Sequence, residues 1–157
     1  MDLHRQLEHY RKEHDHILLF LEEFDRALAL AASETAQERR AGLAQLREME
    51  EKLVGIRAHC HEEEQNVESP FQMYLDEFAL EDLHTEHPLL ERHSHDFCAE
   101  LTVVTAPPPT GTLVHLGRRL LEQLRHHIAR EECLLKQIED GSTAEEKLFL
   151  RYTQPGE

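Results

Sequence analysis

This sequence predicts an all-α fold: an up-down-up-down antiparallel four-helix bundle with short additional helices near 70–78 and 143–153. Three observations carry that expectation. Apolar residues recur in steps of four and three over four long stretches, the spacing of a helix with one buried stripe. The chain is rich in Leu, Ala, Glu and Arg and has only six Gly and six Pro among 157 residues, a composition that favours helices. Short connections between long helices make consecutive ones antiparallel neighbours.

The first helix is expected from about Asp2 to Leu30, with Leu3, Leu7, Tyr10, His14, Ile17, Leu21, Phe24 and Leu28 forming one seam. It ends in the small polar linker Ala32-Ser33-Glu34-Thr35. Thr35-Ala36-Gln37-Glu38 reads as a capping box that opens a second helix continuing to about Glu68. There Leu46, Met49, Leu53 and Ile56 run into His59 and Glu63. Ser69-Pro70-Phe71-Gln72 is another start signal, with Ser as N-cap and Pro at the first helical position. The short helix that follows, through Phe78, has Phe71, Tyr74, Leu75 and Phe78 to close one end of the core.

The third long helix should span Leu80 to Val104, with Leu80, Leu83, His87, Leu90, Phe97, Leu101 and Val104 in register. Pro88 interrupts it, because proline lacks an N–H and clashes with the preceding turn, so this helix either begins late or kinks there. Thr105-Ala106-Pro107-Pro108-Pro109-Thr110-Gly111 is a stiff non-helical connection. A fourth helix from about Thr112 to Glu139 carries Leu113, Leu116, Leu120 and Leu124 into His127 and Glu131, and Gly141 should stop it. Ser142-Thr143-Ala144-Glu145 then caps a last short helix with Leu148, Phe149 and Tyr152. The length fits a single domain over 1–157.

Lys and Arg number 17 against 32 Asp and Glu, a formal net charge of −15 that repels phosphate backbones and argues against nucleic-acid binding. No apolar run reaches the roughly 18 residues of a membrane span. The N-terminus lacks an apolar signal region, so a cytoplasmic protein is expected. Cys60, Cys98 and Cys133 show no Cys-x-x-Cys spacing; they read as small core-filling thiols in a reducing compartment. The anomaly is thirteen histidines.

Four of these, His14, His59, His87 and His127, sit at seam positions, one per long helix, where a bundle ordinarily places leucine. Two begin a His-x-x-x-Glu pair, His59 with Glu63 and His127 with Glu131. Residues four apart lie on one helical face with Cβ atoms about 5–6 Å apart, so each pair can offer an imidazole and a carboxylate to one centre. Unpartnered, such buried groups carry a desolvation penalty of about several kcal/mol each, which a metal centre would relieve. In an antiparallel bundle, at about 1.5 Å per residue, the four histidines fall at nearly the same height. Two metal ions about 3.5–4 Å apart suit the set, with carboxylates bridging and open positions left for water, hydroxide, dioxygen or another small ligand.

His126, His16, His61, His84, His93, His95, His4, His9 and His115 lie off the seams or lack an acid at ligand spacing, and read as surface residues. Glu62, Glu91 and His84 are further candidates as ligands or as partners of ligands. Glu13-x-x-His16 and Glu81-x-x-His84 have the Glu-x-x-His spacing of ferritin-type centres, but they too lie off the seams. No cysteine belongs to the constellation, which argues against copper(I), whereas nitrogen and oxygen donors admit iron, zinc, manganese and cobalt. A metal-free bundle with hydrogen-bonded core histidines is the bland alternative; it suits a lone histidine better than a repeated motif.

The succession Glu13-His14-x-x-Ile17, His59-x-x-x-Glu63-Glu64, Glu86-His87-Pro88-Leu89-Leu90 and His127-Ile128-x-x-Glu131-Glu132 resembles the hemerythrin-like, or HHE cation-binding, family over about residues 3 to 139. The resemblance implies a non-haem di-iron site, with two Fe ions held terminally by His14, His59, His87 and His127 and bridged by Glu63 and Glu131. Oxygen carriers of that family have a fifth histidine where this chain has Glu91, and an aspartate five residues after the last histidine where this chain has Glu131 at four. The pattern is closer to bacterial-type relatives linked to sensing or handling of oxygen, peroxide, nitric oxide or iron. The expected function is binding of a small ligand (O2, peroxide or NO) for sensing, storage or detoxification. The alternatives are a di-iron peroxidase or NO-reducing enzyme, which needs an electron source, and an interaction module binding another metal or none.

Overall fold

The computed structural model describes residues 2–104 and 111–153, the segment 142–153 by its backbone alone. Among these residues every regular element is a helix: α1 (Leu3–Ala31), α2 (Ala36–Gln65), α3 (Pro70–Tyr74), α4 (Glu77–His84), α5 (His87–Val103) and α6 (Gly111–Thr153). The four long helices close a ring, since α1 packs on α2 and α6 while α5 packs on α6 and α2. The Pro-rich connection, apart from Gly111, lies outside the described residues. No helix among the described residues is long and apolar enough to cross a membrane.

Local chemistry sets the helix starts. The Asp2 carboxylate accepts a hydrogen bond from the Arg5 N–H at 2.8 Å, and that of Asp76 from the Ala79 N–H at 2.7 Å, satisfying donors that the first turn leaves free. Ser69 caps α3, accepting from the Gln72 N–H at 3.3 Å, with Pro70 following it. The capping box expected at Thr35 is not formed: Thr35 precedes α2, but its hydroxyl caps nothing. Instead Ser33 Oγ donates to Glu38, and Arg39 donates to the Ser33 and Glu34 carbonyls.

Pro88 delimits the third long helix rather than kinking it. α5 begins at His87 and places the proline in its first turn, where a missing N–H is harmless. Leu80 and Leu83, expected on that helix, belong to the separate α4. Two further expectations are corrected. Gly141 does not stop the last long helix, and the short helix near 143–153 is the continuation of α6. A glycine costs a helix only about 1 kcal/mol and introduces no clash, so the hydrogen-bonded ladder runs through it. At the end of the bundle Phe71 is fully buried, but Phe78 is 86% exposed and Tyr74 faces solvent. Phe71 and Leu75 close the core there, not the whole quartet.

The buried apolar residues form two clusters. The larger runs from Ile17 to Ala31 on α1, Leu43 to Cys60 on α2, Leu90 to Leu101 on α5 and Leu113 to Ile128 on α6. Phe24 and Phe97 meet edge to face at its centre, ring centroids 5.4 Å apart. The smaller joins Leu7 and Tyr10 of α1, Phe71 of α3, Leu83 of α4, and Leu134, Leu135 and Ile138 of α6. On α1 only His14 among the buried residues separates the two, and on α6 only Glu131. A polar layer thus crosses the bundle between two dry ones.

Candidate metal centre

That layer is built from the sequence seams. Continuing the 3–4 step on α1 from Tyr10 brings in His14, which is buried. On α6 the step from Leu124 brings in His127 and Glu131, both buried. His87 enters from the first turn of α5. On α2 the buried face is Leu46, Leu53, Ile56, Cys60, Glu63 and Glu64, with His59 at its margin and 42% exposed.

Nine residues here form four overlapping trios whose donor atoms, within each trio, lie within 4.8 Å of one another. They are Glu13–His59–Glu63, His14–Glu63–Glu131, Cys60–His127–Glu131 and Glu64–His87–His127. Glu63, Glu131 and His127 each belong to two trios, so the donors form one continuous string across the bundle. The Glu131 carboxylate spans two histidines, one oxygen 2.8 Å from His14 Nε2 and the other 3.0 Å from His127 Nε2. The Glu64 carboxylate likewise spans His87 and His127, lying 2.8 Å from the latter. Glu63 reaches His59 Nε2 at 2.6 Å, and Glu13 reaches the same nitrogen at 3.0 Å.

Outside the string, further carboxylates orient the rings. His14 Nδ1 is held by Glu132, and His127 Nδ1 lies 3.0 Å from Glu86. Such carboxylate–histidine pairs direct the other ring nitrogen toward a metal and raise its basicity. The Arg130 guanidinium donates to Glu86 at 2.7 Å and to Asp82, tethering this support to α4.

Whether these residues suit a cation can be tested on the polar atoms that nothing satisfies. Glu63 Oε2, Glu64 Oε1, Glu131 Oε1 and His127 Nε2 are all buried and have no hydrogen-bond partner. The last three crowd within about hydrogen-bonding distance yet off the directions a hydrogen bond requires. One ring proton cannot serve two carboxylates, whereas a cation attracts all three donors at once. The residues present therefore fit a metal ion.

Protonation has the same cause. Burial pushes the Glu63 carboxyl up to about 10, with Glu13, Glu131 and Glu64 adding their charge. Burial alone would lower His127, but Glu131 and Glu64 outweigh it and push the imidazole up to about 10. His14 is raised too, Glu131 and Glu132 overcoming its burial. Burial opposes ionisation of Glu64, yet His127 and His87 hold it down at about 2. Tyr10, at the edge of the layer, is pushed up to about 12 by burial and by the charges of Glu63, Glu13 and Glu131, and keeps its proton.

All six residues expected as ligands, His14, His59, Glu63, His87, His127 and Glu131, belong to the string. The further candidates do not. Glu62 is exposed, and Glu91 is 69% exposed and ion-pairs with Arg57. His84 is partly exposed, its ring 5.9 Å from that of His87 and its Nε2 3.4 Å from Gln65. His93 departs from its surface reading: it is buried, and burial beside Arg119 lowers its pKa. The sequence reading missed Glu64, Glu13 and Cys60 as members of the layer, and the last overturns the expectation that no cysteine belongs there. A signal existed: a step of four from Ile56 gives Cys60, and another gives Glu64. Cys98 is part-buried and Cys133 exposed, so only Cys60 is a buried thiol.

No known protein family, curated protein or solved structure matches this chain.

Proposed function

We propose that this chain is a hemerythrin-like metal-binding protein: an up-down-up-down four-helix bundle holding a non-haem di-iron centre that binds O2, peroxide or NO for sensing, storage or detoxification. The observation that carries the reading is the continuous string of imidazoles and carboxylates between two apolar layers, with buried donor atoms left unsatisfied. His14, His59, His87 and His127 would hold the ions from the four long helices, and Glu63 and Glu131 would be shared between them. Two iron ions in such a set supply open coordination positions and reversible one-electron chemistry to a small ligand. Glu132 and Glu86 keep the His14 and His127 rings turned inward. The apolar clusters on both sides shield the buried members of the layer, His14, Glu63, Glu64, His127 and Glu131, from bulk water, which strengthens the charge interactions among them.

Metal analysis of the chain loaded anaerobically with iron(II), followed by absorption spectra before and after O2 or NO, tests this. Two irons per chain and a gas-dependent visible band are expected. A chain that takes up no iron, or one whose iron spectrum ignores both gases, would overturn it.

A further inference from the structure

We propose that Cys60 is a thiolate ligand of this centre, serving the half of the string formed by Glu64, His87, His127 and Glu131. The inference rests on the metal-binding reading above and goes beyond it by making the two ends of the centre chemically different. Cys60 is 2% exposed. Its sulfur lies within 4.8 Å of a donor nitrogen of His127 and a donor oxygen of Glu131. Independently of the thiol, His127 Nε2 and Glu131 Oε1 are buried and unsatisfied, so a cation is called for between two residues that the sulfur also reaches. Core filling alone would need only a small apolar side chain at this step of α2; a sulfur within reach of those two atoms is also a donor.

The other two thiols are placed differently. Cys98 is paired with Ser94 and Glu50 on an open groove between α2 and α5. Cys133 is exposed and accepts from Gln137 at 3.9 Å. Neither belongs to a trio among the described residues. At the opposite end, Glu13, His14, His59 and Glu63 offer only nitrogen and oxygen. On loading, the Sγ–H bond of Cys60 gives way to a metal–sulfur bond and the proton leaves to solvent, with no change of oxidation state. A soft donor at one end biases that position toward zinc or iron over magnesium, calcium or manganese.

X-ray absorption of the full chain loaded with Zn²⁺ alone tests the assignment. A sulfur shell at about 2.3 Å is expected beside nitrogen and oxygen neighbours at about 2.0–2.2 Å. The shell should vanish in Cys60→Ser and persist in Cys98→Ser/Cys133→Ser, whose one remaining thiol is Cys60. The double variant carries the test even if Cys60→Ser does not fold. Bound zinc with only nitrogen and oxygen neighbours, or a sulfur shell that survives in Cys60→Ser, would overturn Cys60 as a ligand while leaving the metal centre intact. A wild-type chain that binds no zinc and no iron would overturn both readings.

Discussion

The Glu86 carboxylate lies 3.0 Å from His127 Nδ1, and the same carboxylate receives the Arg130 guanidinium at 2.7 Å. Glu86 comes from the joint between α4 and α5, and His127 and Arg130 from α6. A fully buried imidazole is thereby oriented by a carboxylate that an arginine holds in place. The break before Pro88 thus has a use, since it delivers Glu86 to His127 Nδ1 and His87 to the Glu64 carboxylate that lies at His127 Nε2.

Glu86→Gln should accordingly weaken metal binding without removing a ligand. Loss of such an outer partner lowers metal affinity about 10–100-fold. Competition with a chromophoric chelator measures this, with Glu91→Gln as the control, since Glu91 faces solvent. Equal affinity in the two variants would deny Glu86 its orienting part.

Removing a donor outright should have a larger effect. His127→Ala and His59→Ala delete members of the string, whereas the neighbouring His126 is 60% exposed, with its Nε2 3.8 Å from Glu86, and belongs to no trio among the described residues. Metal content after loading and desalting should fall sharply in the first two and stay at the wild-type level in His126→Ala. Retention in all three would refute the site.

Metal uptake should release protons. In the metal-free chain both Glu63 and His127 stand at about 10, so both are protonated at pH 7. A cation that takes their donor atoms expels those protons, so affinity rises with pH through the neutral range and is lost as the pH falls. Titration calorimetry at pH 7 in buffers of different ionisation enthalpy should show release of about two protons or more. Binding with no buffer dependence would contradict the raised pKa values.

The sequence made the four long helices and six members of the string legible because a 3–4 period survives any tertiary detail. It misled where packing chose between adjacent residues. His59 and Cys60 both follow Ile56 at helical spacing, and pattern alone favoured the polar one as inward, yet Cys60 is buried and His59 is 42% exposed. The acids Glu13, Glu64 and Glu86 each adjoin an expected ligand, and a turn of about 100° per residue places neighbours on the flanks of one stripe rather than on opposite faces. Gly141 misled for another reason: a stop signal acts only if the chain has a better place to go.

Metal should stabilise the fold. Glu63, Glu64 and Glu131 are buried together beside His14 and His127, and several of their donor atoms have no hydrogen-bond partner. A ligand at 1,000 times its dissociation constant adds about 4.1 kcal/mol when only the native state binds it. Thermal unfolding followed by circular dichroism should show a higher Tm for loaded than for chelator-treated chain, and the gap should close in His127→Ala. An unchanged Tm on loading would mean that the layer does not take up the ion.

The contact between α1 and α2 should prove intolerant of a single methyl group. A Cβ at Gly42 would lie 2.4 Å from the Ala31 nitrogen and 2.9 Å from the Ala27 carbonyl oxygen. Both are backbone atoms of a packed helix and cannot swing aside, so Gly42→Ala must push the helices apart. Overpacking of this kind costs about 1–3 kcal/mol. Gly55 lies on the same helix with nothing within 4 Å of its added Cβ, and there alanine relieves the entropic penalty of glycine by about 0.5–1 kcal/mol. Melting of the metal-free chain should therefore move down in Gly42→Ala and up in Gly55→Ala. Shifts in the same direction would show that helix propensity, not the close approach of α1 and α2, governs position 42.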